Sequence, residues 1–229
     1  MIRAGAAGLL GCELLLGVND FLFAYLDLVP MEVVQHLANL AREDGVGTWF
    51  SSTQALLVAL VLAAVGGSER SAGRAAWGWG ALAAFFAYIA LDDGLEVHER
   101  VGSAVRRVTD SPLFDVFPTY AWQLVFAPLF GGGGLFMVVF LWRRLERALW
   151  LGIGAALACF VVAVGLDFVE GVDGAFENMA RASGLRTYTV SHGFKVTEEL
   201  LEMLGTTLFL TTFAHQLAAS LRGRVVVVR

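Results

Sequence analysis

Long apolar stretches recur along the whole sequence, and each is close to the roughly 20 residues that a helix needs to cross a bilayer. Five of them are clear, at 49–65, 75–97, 119–142, 148–169 and 194–218. Inside hydrocarbon the backbone must satisfy its own hydrogen bonds, and a helix does so within each stretch. With 57% apolar and only 16% charged residues, the sequence excludes an ordinary soluble domain of 229 residues.

A sixth stretch, 4–28, is long enough to span a membrane but carries Glu13, Asp20 and Asp27. These acids are seven residues apart, so they form one narrow stripe on a helix that turns by about 100° per residue. Such a helix can face lipid on most sides and protein on its acidic side. The sequence therefore predicts an all-α polytopic membrane bundle of about six transmembrane helices, with 1–229 forming a single transmembrane domain.

The loops predict the orientation, because cytoplasmic loops of membrane proteins carry more lysine and arginine. With a cytoplasmic N-terminus, the inner segments hold nine arginines, including a basic tail at 222–229, and the outer loops hold seven basic residues. We therefore expect both termini in the cytoplasm. Residues 31–42 are amphipathic and are predicted to lie on the membrane surface. The net charge of −5 gives no reason to expect nucleic acid as a partner.

Charged residues are concentrated at a few helix ends. In an up-and-down bundle, the ends of odd helices and the starts of even helices share one side, so these residues converge near the extracytoplasmic face. The strongest candidates for ligand binding are Asp92, Glu96, His98, Glu99, Glu199 and Glu202. The residues expected to support them or to line a pathway are Asp20, Asp27, Asp93, Asp167, Glu170, His192, Lys195 and Glu198. Asp92, Glu96 and Glu99 are predicted to share one arc of the third helix.

The acids outnumber the bases that could neutralise them. A carboxylate at membrane depth costs at least about 2.5 kcal/mol unless it is paired, protonated or solvated. Lys195, Arg100 and two histidines cannot balance about nine acids, so the remainder needs water, protons or bound cations. Carboxylates and imidazole on facing helices are how helical bundles hold divalent metal ions. We therefore predict a bound divalent metal ion, with Zn, Mn, Fe, Mg and Ca all open.

Three further roles stay open for the acidic residues. They can line a hydrated vestibule without a specific ligand, or form interhelical hydrogen bonds that fix the bundle. The pattern Asp92-Asp93-Gly94-Leu95-Glu96 also matches the acidic motif that binds magnesium and diphosphate in prenyl-chemistry enzymes. A diphosphate substrate requires lysine and arginine deep in the site, and those residues are scarce here.

Two short segments resemble a group of uncharacterised bacterial multi-pass integral membrane proteins. The first is Leu91-Asp92-Asp93 followed after four residues by His98-Glu99, and the second is Glu198-Glu199-Leu200-Leu201-Glu202 in the last helix. In that group, an LD-acid-x4-HE helix end precedes a late EE-x2-E helix. The resemblance implies that these residues form one site and that the protein lies in the bacterial inner membrane. It implies no particular activity.

Three classes of function fit these features. The first is a metal-dependent membrane enzyme, in which the metal polarises a substrate and an acid moves the proton. The second is a cation or proton-coupled transporter, favoured by Glu13 because it extends the acidic stripe past the membrane centre. The third is a structural or assembly partner for another membrane protein. Membrane lipids are expected partners, and the small-residue spacing Ala155-x3-Cys159-x3-Ala163 favours close helix packing within or between copies.

Overall fold

The computed structural model describes residues 1–109 and 111–225, excluding the side chains of 223–225, and no strand occurs in this part of the chain. Its helices are α1 (Ile2–Asn19), α2 (Glu32–Ala38), α3 (Val46–Ser71), α4 (Trp77–Leu95), α5 (Val97–Val108), α6 (Pro112–Val116), α7 (Ala121–Trp142), α8 (Trp150–Glu170), α9 (Ala175–Ser183) and α10 (Thr187–Val225). A π-helical segment, Asp20–Tyr25, continues α1, and a 3-10 turn, Arg147–Leu149, precedes α8. The predicted all-helical fold is confirmed.

Four of the described helices are long and apolar enough to cross a membrane, namely Ile2–Tyr25, Val46–Ser71, Ala121–Trp142 and Arg147–Glu170. They indicate a membrane protein. The other two predicted spans correspond to α4 and α10, which are not among the four because charged and polar side chains lower their apolar character. The number of six transmembrane helices therefore stays a prediction.

The long helix α10 lies at the centre of the packing and contacts α1, α3, α8 and α9. Helix α3 packs along α4, while α7 packs against α5 and more lightly against α4. The apolar core lies at one end of the bundle. The second halves of α3, α7 and α10 and the first halves of α4 and α8 form it. Its fully buried side chains include Leu62, Trp79, Ile153 and Phe213. The acidic helix ends lie at the opposite end of the bundle from this core.

The structure differs from the predicted third helix, 75–97, at its charged end. Helix α4 stops at Leu95, Glu96 adopts a left-handed backbone conformation with φ 52°, and α5 begins at Val97. A residue with a side chain in this conformation is unfavourable by about 1–2 kcal/mol. Helix α5 then lies tightly on α7, because a Cβ on Gly102 would come within 2.6 Å of the Trp122 Cα. The predicted single arc of Asp92, Glu96 and Glu99 is therefore wrong, since the backbone turns between them.

The ends of two other predicted segments also differ. The first helix, predicted to reach residue 28, ends with the π-helical segment at Tyr25. The last helix begins at Thr187, seven residues before the predicted start at 194, and so includes His192 within a regular turn. The surface segment predicted at 31–42 contains the short helix α2. The predicted basic tail extends to residues 226–229, which lie outside the described part of the chain.

Candidate functional site

Three glutamates from separate segments meet at the acidic end of the bundle. Glu43 lies in the α2–α3 loop, Glu96 forms the α4–α5 junction, and Glu99 lies in the first turn of α5. One carboxylate oxygen from each lies within 4.8 Å of the other two, and all three side chains are half-buried. We call Glu43, Glu96 and Glu99 the carboxylate cluster. Glu96, at the left-handed junction, is the member of the cluster that lies between the two helices α4 and α5.

Two basic side chains lie beside the carboxylate cluster. The Lys195 Nζ is 4.0 Å from Glu43 Oε1, and the Arg100 Nη2 is 3.3 Å from Glu96 Oε2. Arg100 is largely exposed, with 70% of its side chain accessible, so solvent weakens its effect. Burial and the negative charge of Glu99 raise the pKa of Glu43 to about 7, although Lys195 opposes the shift. The cluster therefore retains unneutralised negative charge.

Lys195, the only lysine in the sequence, is shared among several acids. Its Nζ donates to Glu198 Oε1 at 3.3 Å, and its charge also acts on Glu43, Glu170 and Glu199. Glu198 is buried, and within the described residues its Oε2 has no hydrogen-bond partner. One ammonium group thus interacts with several carboxylates, so positive charge is in shorter supply than negative charge at this end of the folded protein.

Asp92, which is buried, pairs with His98, which is partly buried, next to the carboxylate cluster. Asp92 Oδ2 is 2.8 Å from His98 Nδ1, and Asp92 Oδ1 accepts from the His98 backbone N–H at 2.8 Å. The Tyr88 hydroxyl donates to the same oxygen at 3.1 Å, and Trp122 packs edge-on against the imidazole. Burial lowers the pKa of His98, but the hydrogen bond and charge of Asp92, with Glu99, raise it overall. A carboxylate on Nδ1 orients the ring and leaves Nε2 for a ligand or a proton.

Asp93 of α4, and Asp167 and Glu170 of α8, lie outside the carboxylate cluster and accept hydrogen bonds from other segments. Asp93 Oδ2 accepts from the hydroxyls of Ser51 and Ser52 on α3, at 2.6 and 2.7 Å. Asp167 Oδ2 accepts from Gln123 on α7 at 2.7 Å, and Glu170 Oε1 accepts from Tyr120 at 3.4 Å. Hydroxyl and amide donors from neighbouring helices therefore satisfy these acids.

Glu199 and Glu202 are half-buried on α10 and interact electrostatically with Lys195 and Asp93. They were predicted as ligands together with Glu96 and Glu99. The structure instead places them around Lys195, outside the carboxylate cluster. The acidic end thus contains an outer group on the loop and α5, and an inner group on α10.

Asp20 and His192 form a second pair, which is buried, where the π-helical segment meets α10. Asp20 is 2% exposed, its Oδ2 is 2.9 Å from His192 Nε2, and its Oδ1 accepts from the Leu40 backbone N–H at 2.9 Å. The rings of Tyr25 and Tyr188 stack against the imidazole. This network joins α1, the loop after α2, and α10.

The acidic stripe predicted on the first helix divides into two environments. Glu13 is buried halfway along its span, where its Oε1 accepts from Gln54 Nε2 at 2.9 Å and from the Thr207 hydroxyl at 2.6 Å. Asp27 is exposed and accepts a hydrogen bond from Gln35. Asp27 lies after the π-helical segment, so its direction no longer follows the spacing of a continuous α-helix.

Glu43 is the cluster residue that no sequence pattern predicted. It lies between Arg42 and Asp44, both exposed, in a loop that resembles a solvated surface segment. It follows α2 and lies at the same end of the bundle as the acidic helix ends, but its contact with α5 depends on the tertiary fold.

Comparison with curated proteins and with solved structures finds no significant match to the chain. A family model matches residues 6–217, which include all the described helices except the first residues of α1 and the last part of α10, and both acidic groups. The chain therefore belongs to the family described as Domain of unknown function (DUF8692).

Proposed function

We propose that this chain is an integral membrane protein whose carboxylate cluster binds a divalent cation near the extracytoplasmic face. The observation that carries the proposal is the approach of Glu43, Glu96 and Glu99, whose oxygens lie within 4.8 Å of one another. Three carboxylates at this separation repel one another, and a divalent cation between them converts the repulsion into attraction. Lys195 and Arg100 lie at the edge of the cluster and offset only part of its charge.

The ligand chemistry narrows the choice of ion. Carboxylate oxygens are hard ligands that suit calcium, magnesium and manganese, whereas zinc and iron sites more often include nitrogen or sulfur. Because Ca²⁺ takes six to eight oxygen ligands, three glutamates leave positions for water or a substrate.

The membrane topology is part of the same proposal. Helix α4 packs against α3, and α10 packs against α3 and α8, and both α3 and α8 are membrane-capable helices. We therefore place α4 and α10 in the bilayer with the four membrane-capable helices, as a six-helix bundle. Charged residues of α4 and α10 then lie at one end of the bundle, facing other helices. The larger number of arginines in the opposite loops, nine against seven basic residues, supports the part of the proposal that puts both termini in the cytoplasm of a bacterium whose inner membrane holds the bundle.

The reaction class best supported by this arrangement is metal-dependent catalysis on a membrane-borne substrate. The cation would polarise a carbonyl or phosphoryl oxygen of the substrate. His98, held by Asp92 on Nδ1, offers Nε2 as the proton acceptor or donor next to it. The supporting observation is that His98 directly precedes Glu99 in the chain and that the charge of Glu99 acts on its imidazole.

A transporter is the second candidate, and one contact favours it. Glu13, Gln54 and Thr207 form a buried hydrogen-bonded group midway along the Ile2–Tyr25 span. A polar group at this depth is the position expected for a coupling site in a cation pathway. The outer carboxylate cluster would then be the entrance to that pathway.

Metal content after detergent purification without chelators tests the proposal. We expect mass spectrometry to find about one Mn²⁺ or Ca²⁺ per chain in the parent protein. In Glu43→Gln the metal content per chain should fall at least about tenfold, because a neutral amide is a weaker ligand than a carboxylate. Glu13→Gln is the control that separates the two candidates. An enzyme site at the outer face keeps its metal and its activity in Glu13→Gln, whereas a pathway loses ion uptake into vesicles. Absence of metal from the parent protein at every ion concentration tested would contradict the metal proposal.

The affinity of the cluster for Mn²⁺ is expected to rise with pH across neutrality. Glu43, with its pKa raised to about 7, must lose its proton before it can act as a ligand. Below that pH, one competing proton lowers the apparent affinity by about tenfold per pH unit. Calorimetric titration with Mn²⁺ from about pH 5.5 to about pH 8.5 measures the slope, and Glu43→Gln should flatten it. An affinity that is constant over this range would show that Glu43 is not a ligand.

A further inference from the structure

An apolar groove runs between α4 and α7 on the exposed surface of the bundle. Its volume is about 580 Å³, within the range of sites that hold small molecules. The wall from α4 includes Leu82, Phe85 and Tyr88, and the wall from α7 includes Pro128, Gly132 and Phe136. The groove exists because α4 and α7 make few contacts along this part of their lengths.

The glycines of α7 leave the groove open. A Cβ placed on Gly132 meets no atom within 4 Å, so the space beside it is free. At Gly133, a Cβ would come within 2.6 Å of the Phe85 ring, which shows that Phe85 closes the groove on that side. The missing side chains of Gly132 and Gly133 therefore form a trough with an aromatic wall.

The groove opens towards hydrocarbon. Pro128, Leu129 and Gly132 are exposed, and they lie in the middle of the membrane-capable helix Ala121–Trp142. In a bilayer, a trough at this depth is in contact with acyl chains. Apolar and aromatic side chains on both walls match that surrounding.

One end of the groove reaches the Asp92–His98 pair. Tyr88 lines the groove, and its hydroxyl donates to Asp92 Oδ1 at 3.1 Å. The ring of Phe130 lies 6.2 Å from the Tyr88 ring and 6.3 Å from the His98 imidazole. The route from the lipid-facing groove to the acidic end is thus lined by aromatic rings and ends at polar atoms.

We infer that the groove binds one hydrocarbon chain of a membrane lipid whose headgroup reaches the carboxylate cluster. This inference rests on the proposed metal-dependent function and assigns its substrate class. The hydrocarbon chain lies along α4 and α7, and Tyr88 marks the boundary between the apolar and polar parts of the lipid. An anionic oxygen of the headgroup then completes the coordination of the cation, since three glutamates leave ligand positions open.

Photolabelling with a phosphatidylglycerol that carries a diazirine in one acyl chain tests the inference. The protein is reconstituted in vesicles with Mn²⁺, and labelled peptides of α4 and α7 are quantified by mass spectrometry. Gly132→Leu fills the groove and is expected to lower the labelling by about tenfold. Gly131→Leu is the matched control, because Gly131 is an exposed neighbour with free space around it that does not line the groove.

Gly131→Leu is expected to stay within about twofold of the parent, the range of a neutral surface change. Equal labelling of the two glycine variants, whether high or low, would overturn the inference. If Gly132→Leu does not fold, Ala84→Leu fills the groove from α4 and replaces it. Mn²⁺ content is measured on the same samples. If the protein binds Mn²⁺ but the two glycine variants are labelled equally, the lipid inference is wrong and the metal proposal stands. If Gly132→Leu alone loses labelling but the protein holds no Mn²⁺, the proposed metal function is wrong.

Discussion

The double substitution Glu96→Gln, Glu99→Gln is expected to weaken Mn²⁺ binding at least about 100-fold. Both side chains belong to the carboxylate cluster, and each substitution removes a negative charge while keeping the size of the side chain. Loss of a residue that merely orients a metal ligand costs about 10–100-fold in affinity, so the loss of two direct ligands reaches at least the upper value. Calorimetric titration of the purified variant at about pH 8, where Glu43 is deprotonated, measures the change.

The inner acids provide the comparison for this prediction. Glu199→Gln, Glu202→Gln makes the same change on α10, where these side chains interact with Lys195 and Asp93. We expect the affinity to fall by less than about tenfold, because the remaining effect is the loss of distant negative charge. A larger loss in the inner variant than in the outer one would place the ion on α10 and refute the outer cluster.

Replacing Asp20 with alanine is expected to destabilise the folded protein by about 2–6 kcal/mol, because two buried polar groups lose their hydrogen-bond partner at a cost of about 1–3 kcal/mol each. His192 is 7% exposed, and without Asp20 its Nε2 and the Leu40 backbone N–H lose their common partner. The structural effect should appear where α1, the α2–α3 loop and α10 meet. The free energy of unfolding in mixed micelles, measured by denaturant titration, tests the prediction.

Asp173→Ala is the control for Asp20→Ala, since Asp173 is an exposed aspartate in the α8–α9 loop. Its substitution should change the free energy of unfolding by no more than about 0.5 kcal/mol, as is usual for surface positions. Equal stability of the two variants would show that the Asp20–His192 pair does not hold the helices together.

The class of fold follows from the sequence because the cost of exposing backbone in hydrocarbon leaves few alternatives. Long apolar stretches such as 119–142 and 148–169 specify helices locally, so their positions need no tertiary information. The break at Glu96 is different in kind. Leu95, Val97 and His98 are compatible with a continuing helix. The turn is seen only in the folded protein, where Gly102 approaches Trp122 closely and Asp92 accepts from the His98 backbone N–H.

The candidate site was predictable only where helix periodicity places its residues. Asp92 and Glu99 lie at a helix end, where alternation of helix direction predicts their side of the membrane. Glu43 lies in a loop, and no spacing rule connects a loop residue to α5. Asp27 is a residue for which the spacing rule failed. It was predicted to share one helix face with Glu13 and Asp20, but the π-helical segment changes the number of residues per turn before Asp27 is reached.

The π-helical segment Asp20–Tyr25 has a consequence for the comparison of sequences within the family. A π turn holds about one residue more than an α turn, so this segment absorbs one residue without displacing α1 or α2. A related chain that is one residue shorter here can follow the same path as a plain α-helix. A one-residue gap at 20–25 in an alignment would then leave the geometry unchanged, and the equivalent of Glu13 should be assigned from the helix before the gap.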